Sequence, residues 1–181
     1  GATAGAVRVI AASDIATGIN DDRRSGQNSS AIFAQSVGGG GGNGGTSNVN
    51  TSGSTASLTF ALGGGASDGA AGNAVNVNSA GNLSTTGENS AAIFAQSVGG
   101  GGGNGGASAA TIGNGGSVNA ALALGGHGGT AGTGGAVTVD TRLDAYNNLT
   151  DSILPSDRTR IATDRAKLIT TTGNNSAGIF A

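Results

Sequence analysis

"AIFAQSVGGGGGNGG" occupies residues 31–45 and returns letter for letter at residues 92–106. Ile32-Phe33-Ala34-Gln35-Ser36-Val37 is too short for a helix and is bounded by turn formers, so it reads as a β-strand. Ile32, Ala34 and Ser36 fall on one face, and Phe33, Gln35 and Val37 on the other. Small residues suit a narrow stacked interior, so Ile32 and Ala34 are expected to point inward. Ile93, Phe94 and Gln96 occupy the same places in the second copy, and Ile179 and Phe180 those of a third.

The copies are spaced by 61 residues (93 − 32) and then by 86 (179 − 93). Other short runs recur at nearly the first step. Phe60-Ala61-Leu62-Gly63-Gly64 returns as Leu122-Ala123-Leu124-Gly125-Gly126, and Ala-Val-x-Val appears at Ala6, Ala74 and Ala136. In Val75-Asn76-Val77 the valines share one face. In Leu58-Thr59-Phe60-Ala61-Leu62 the large residues alternate, which predicts that the large face is the buried one. Short strands at a fixed period fit an all-β fold, a parallel β-solenoid or β-helix of stacked coils with glycine-rich connections. With a coil of on the order of 20 residues, each 61-residue unit is expected to hold about three coils. Each coil would rise about 4.8 Å.

The glycine block Gly38–Gly42, Asn43, Gly44, Gly45 admits two readings. As a spacer it is a flexible loop, because glycine loses the most backbone entropy on ordering. As structure, it lets backbones approach closely, with Asn43 and Asn104 supplying amides for a ladder between units.

Composition narrows the classes. The chain has 38 glycines among 181 residues, one proline, no cysteine, methionine or tryptophan, 3% aromatics and a formal charge of −2. So few bulky residues cannot fill the interior of a thick globular domain, whereas a thin regular one suits them. Cysteine-free sequence excludes a disulfide framework and thiolate metal sites. No apolar run approaches the length of about 18 residues needed to span a bilayer as a helix. With no basic stripe, nucleic-acid binding is not expected. His127, the sole histidine, stands in Gly125-Gly126-His127-Gly128-Gly129 as a turn residue, and the glycine runs lack the Lys-Ser/Thr ending of a phosphate loop. No cofactor or metal site is expected. Asp140 and Asp144 could act as acid and base on a glycan, but the aromatic platforms that hold sugars are missing, so no enzymatic activity is expected.

One region departs from the repeats. Residues 140–167 hold five aspartates against Arg142, Arg158, Arg160, Arg165 and Lys167, while no Lys or Arg occurs between Arg24 and Arg142. Leu154, Ile161 and Leu168 fall seven apart as on a helix stripe, and Pro155-Ser156-Asp157 resembles a helix start. The spacing predicts a charged helical insertion over 141–169, with Arg142, Tyr146, Arg158, Arg160 and Arg165 available for a specific contact. Asp21-Asp22-Arg23-Arg24 reads as an exposed loop.

The phrase "NSSAIFAQSVGGGGGNGG" at 28–45, its near copy at 89–106 and the opening of another at 175–181 resemble the glycine-rich passenger repeats of large bacterial autotransporters. The resemblance covers most of the chain and brings no catalytic residues. It implies a secreted, surface-displayed β-helical stalk, adhesive or structural, made within a much larger polypeptide. Residues 1–181 are accordingly expected to be one continuous solenoid fragment, starting and stopping inside a repeat. The expected function is mechanical, a surface stalk or fibre segment that self-associates laterally or end to end or adheres to a neighbouring cell surface, without inserting in the membrane. The alternative is a passenger that binds or cleaves glycans.

Overall fold

The computed structural model describes residues 1–18, 26–52, 56–113, 118–141, 168–172 and 174–181. Among them every regular element is a β-strand, and the strands pair in parallel. The chain divides into two compact units, each visited once per repeat. Residues 5–36, 73–97 and 135–181 form a strand unit, and residues 1–4, 37–72 and 98–134 a glycine unit.

The strand unit has three levels. The first carries β1 (Val7–Ala11), β2 (Ile15–Thr17) and β3 (Ile32–Val37, whose last residue opens the glycine unit). Three-stranded parallel sheets join these to the later levels in the orders β1-β6-β11, β2-β7-β12 and β3-β8-β13. Here β6 is Val75–Ser79, β7 Leu83–Thr85, β8 Ile93–Val98, β11 Val137–Asp140, β12 Ile169–Thr171 and β13 Ile179–Phe180. The registers match the sequence landmarks. Val7 lies against Val75 and Val75 against Val137, Ile15 and Ile169 flank Leu83, and Ile179 lies against Ile93.

Inward residues of the three sheets make one core, with Ile32 and Ala34 from β3, Val75 and Val77 from β6, Leu83 from β7, and Ile93 and Ala95 from β8. In the middle level Val75, Val77, Leu83 and Ile93 are at most 1% exposed. Their counterparts Val7, Val9, Ile15, Val137, Val139 and Ile169 are only partly buried. Outside Ile32 and Ala34, core residues are thus fully buried only in the level with neighbours on both sides, the behaviour of a stacked repeat. Ile32 and Ala34 point inward and Phe33 and Gln35 outward, as the pattern suggested.

Three expectations need revision. A repeat holds one level of the strand unit, such as residues 73–97, and not three coils; the other residues of the repeat pass through the glycine unit. Spacing between paired strands therefore equals the sequence repeat itself. The face of Leu58, Phe60 and Leu62 is exposed, not buried. Finally, residues 142–167 of the predicted helical insertion lie outside the described residues, and Ile169 at its end belongs to strand β12.

In the glycine unit β4 (Ser47–Ser52) pairs with β9 (Ser108–Gly113), and β5 (Ala56–Leu62) with β10 (Val118–Leu124). The β4–β9 sheet packs against the β5–β10 sheet. Ser57, Thr59 and Ala61 point into the seam and are nearly fully buried. The alternation of β5 is thus turned inside out, its small residues and not its large ones facing the other sheet.

The glycine block is ordered by a different ladder. Gly38, Gly41 and Gly44 donate to the carbonyls of Val98, Gly101 and Asn104 at 2.7–2.8 Å. Gly64, Ser67 and Ala70 donate to Gly45, Gly42 and Gly39, and Gly100, Gly103 and Gly106 donate in turn to Ala70, Ser67 and Gly64. Each segment sends every third N–H to the same neighbour. Three residues per turn with no internal hydrogen bonds is the polyproline II helix, whose backbone must find its partners outside itself. Residues 38–45 run parallel to 99–106 and antiparallel to 63–72, forming two stacked columns of extended helices.

These columns explain the glycines. Among the described glycines only Gly18 and Gly26 have positive φ, so the block does not need glycine for its torsions. It needs the space. A Cβ on Gly38, Gly41 or Gly44 would overlap the carbonyl oxygen of Ala70, Ser67 or Gly64, whereas one on Gly101 would meet nothing within 4 Å. Of the two readings, close backbone approach is the one realised.

Candidate functional site

The residues singled out in the repeated phrase form ladders that run from level to level. The Phe33, Phe94 and Phe180 rings stack with centroids 4.8 and 5.0 Å apart and planes within 8° of parallel. The Gln35 amide donates to Gln96 Oε1 at 2.7 Å. Asn43 Oδ1 accepts the backbone N–H of Asn104 at 2.9 Å, so this rung joins a side chain to a backbone and not two amides. Ile32, Ile93 and Ile179 stack on the inner side of the same strands, with Ile179 still 45% exposed at the third level.

Sequence reasoning missed a second set of rungs. Ser36 Oγ donates to Gly5 O and accepts Asn73 N–H, and Ser97 Oγ donates to Asn73 O and accepts Gly135 N–H, all at 2.7–3.0 Å. Each hydroxyl pins the strand leaving one level to the chain entering the next. At the β2–β3 corner Thr17, Thr85 and Thr171 donate to the carbonyls of Ser29, Ser90 and Ser176. Asn28, Asn89 and Asn175 adopt left-handed φ of 53–56° at these corners, a conformation asparagine tolerates better than most residues. The signal was present in the Asn-Ser that opens every copy of the phrase.

Asp14 Oδ1 accepts Asn82 N–H at 2.7 Å and Asn82 Oδ1 accepts Leu168 N–H at 2.9 Å, capping the β1–β2 corners. In the glycine unit Asp68 Oδ1 accepts Thr130 N–H at 2.8 Å. That bond, a second one with the Thr130 side chain and the proximity of His127 hold the Asp68 carboxyl below its ordinary value. His127 itself is exposed beside Gly65.

Two further apolar surfaces stand out among the described residues. In the strand unit a recess of about 470 Å³ is lined only by first-level residues, among them Val9, Ala11, Ile15, Ile32 and Phe33. In the glycine unit the outer face of β5–β10 presents Leu58, Phe60, Leu62, Leu122 and Leu124, which are 42–81% exposed.

Arg142, Tyr146, Arg158, Arg160 and Arg165, and the Asp21–Arg24 loop, lie outside the described residues. Asp144 does too, so no carboxylate pair with Asp140 is placed. Among the described residues no three His, Cys, Asp or Glu side chains cluster as a metal site. No family model, curated protein or solved structure matches the chain.

Proposed function

We propose that this chain is a segment of an extracellular bacterial β-solenoid whose work is mechanical: it extends by stacking repeats and associates with further copies of itself, as a surface stalk or fibre. The observation that carries this reading is the parallel pairing of the middle strands with their counterparts in the repeats on both sides. Because internal neighbours meet by this rule, and among the described strands the outermost ones pair on one side only, their outer edges suit the same parallel pairing. The half-covered Val139 and Ile169 at one end, and the first-level recess beside Val9 and Ile15 at the other, are the two halves of such a contact. The autotransporter-like phrase supports the surface location, and the like-on-like ladders suit a load-bearing rod.

High-resolution electron microscopy of the native material tests the proposal. Ordered fibres with an axial spacing near 4.8 Å and density for the glycine columns are expected. Particles that remain single and unstacked at every concentration would remove self-association and leave a stalk that acts as a monomer.

A further inference from the structure

The outer face of β5–β10 fits a second copy of the same chain. Its large residues form paired rows, with Phe60 beside Leu122 and Leu62 beside Leu124, but Leu58 stands beside Ala120. Leu58 is 81% exposed and forms a knob, while Ala120 leaves a notch. A knob and a notch on one surface are self-complementary when two copies meet about a two-fold axis. No Lys or Arg occurs between Arg24 and Arg142, and β4, β5, β9 and β10 carry no charge at all. The face therefore offers nothing to anionic headgroups or to a charged protein.

The area is consistent with pairing. Taking roughly 200 Å² for a fully exposed side chain of this size, the exposed parts of the five residues amount to roughly 600 Å² per copy. Two faces in contact would remove on the order of 1,000 Å² from water, the lower limit of a specific interface. Each further repeat adds another row, so the contact strengthens with the number of levels.

We infer that the β5–β10 face is an isologous lateral interface through which two copies, or two stacked rods, pair side by side. This rests on the self-association reading and adds a side contact to the end-to-end one. The two are distinguishable, because an isologous contact stops at two whereas head-to-tail stacking continues.

The test is sedimentation velocity across a dilution series, with electron microscopy of any filaments, on the wild-type chain and on the triple variant Leu58→Thr, Phe60→Thr, Leu122→Thr. Threonine keeps strand propensity at outward positions. If circular dichroism shows that the triple variant does not fold, Leu58→Glu alone is read instead, since it sets like charges against each other near the axis. The expected result is a weak wild-type dimer, or paired filaments, converted by the variant to monomers or single filaments. A wild-type chain that never pairs sideways, or a variant that pairs equally well, overturns the inference. Wild-type binding to phosphatidylcholine vesicles without pairing, lost in the variant, overturns it in favour of a lipid surface. Filaments that fail to form while dimers persist would count against end-to-end stacking and leave the lateral interface standing.

Discussion

Alanine at Gly103 distinguishes a packed helix column from a tether. Its Cβ would overlap the backbone carbonyl of Gly42 and crowd Asn43 N, and neither is the movable tip of a side chain. Relief requires residues 99–106 to move away from residues 38–45, which strains the bonds from Gly41 N–H to Gly101 O at 2.7 Å and from Gly44 N–H to Asn104 O at 2.8 Å. Overpacking costs about 1–3 kcal/mol, and two weakened backbone hydrogen bonds about 1 kcal/mol each. Against this stands the smaller unfolded-state entropy of alanine, worth about 0.4–1 kcal/mol. The net expectation is a loss of about 2–5 kcal/mol. Gly101→Ala is the control, two residues away in the same run, with nothing near the new Cβ. Only the entropy term acts there, so it is neutral or stabilising by up to about 1 kcal/mol. Urea unfolding of both variants and the wild type, at a dilution where the chain is monomeric, gives the comparison. Equal midpoints for Gly101→Ala and Gly103→Ala would refute the three-residue packing period, since a loose loop treats the two positions alike.

Other expectations follow from the ladders and the core. Phe94→Ala loses two stacked neighbours and Phe33→Ala only one; at about 0.5–1.5 kcal/mol per stack, chemical denaturation should show the middle position costing roughly twice the end position. Leu83→Ala, at a side chain 1% exposed between Ile15 and Ile169, should cost about 2–5 kcal/mol in the same assay. Asp68 is stabilised as the carboxylate, first by the Thr130 backbone N–H, so its folded value lies below the ordinary 3.8. Its contribution is then complete above that value and is lost as pH falls from there through the lowered one. Asp68→Asn should flatten this part of the acid limb of a midpoint-against-pH curve, and an unchanged limb would show that the Thr130 contact contributes nothing to stability.

Period-two patterning made the strands legible and, for Ile32 and Ala34, even the buried face. It failed for β5 because alternation defines two faces without ranking them. Size ranked them wrongly there: the seam between the two sheets admits Ser57, Thr59 and Ala61, and the bulkier Leu58, Phe60 and Leu62 turn outward. A typical coil length overestimates the levels per repeat, although the sequence carries a better signal. Ala-Val-x-Val recurs at spacings equal to the pairing registers of Val7, Val75 and Val137. A motif repeated once per level marks the level itself, so counting coils from a typical length overrode the better signal. The helix columns were hidden for another reason. Polyproline II structure has no internal hydrogen bonds and no side-chain period when every residue is glycine, so only the neighbouring chain reveals the register.

The literal identity of residues 31–45 and 92–106 now has a physical account. A rung that joins like to like constrains both copies together. A phenylalanine ring stacks on a phenylalanine, an amide on its own counterpart, and Gly100, Gly103 and Gly106 leave no room for a Cβ against the carbonyls of Gly39, Gly42 and Gly45. Changing one copy alone would break a rung on each side of it. Where the copies diverge, the contacts do not require identity. Ser30 is matched by Ala91 just before the strand, and Phe60 by Leu122 on an outer face where any large apolar residue continues the row. Differences in length are confined in the same way. Strands β2 and β3 are separated by a longer connection in the first level than in the second, and β11 and β12 by a far longer one than β6 and β7, yet the registers on either side are kept. The added residues lie between strands and not within them. The sequence is therefore repetitive where levels touch, including the Ser29, Ser90 and Ser176 rungs at the β2–β3 corner, and varies in length between those contacts, the division expected if stacking is what the repeats are for.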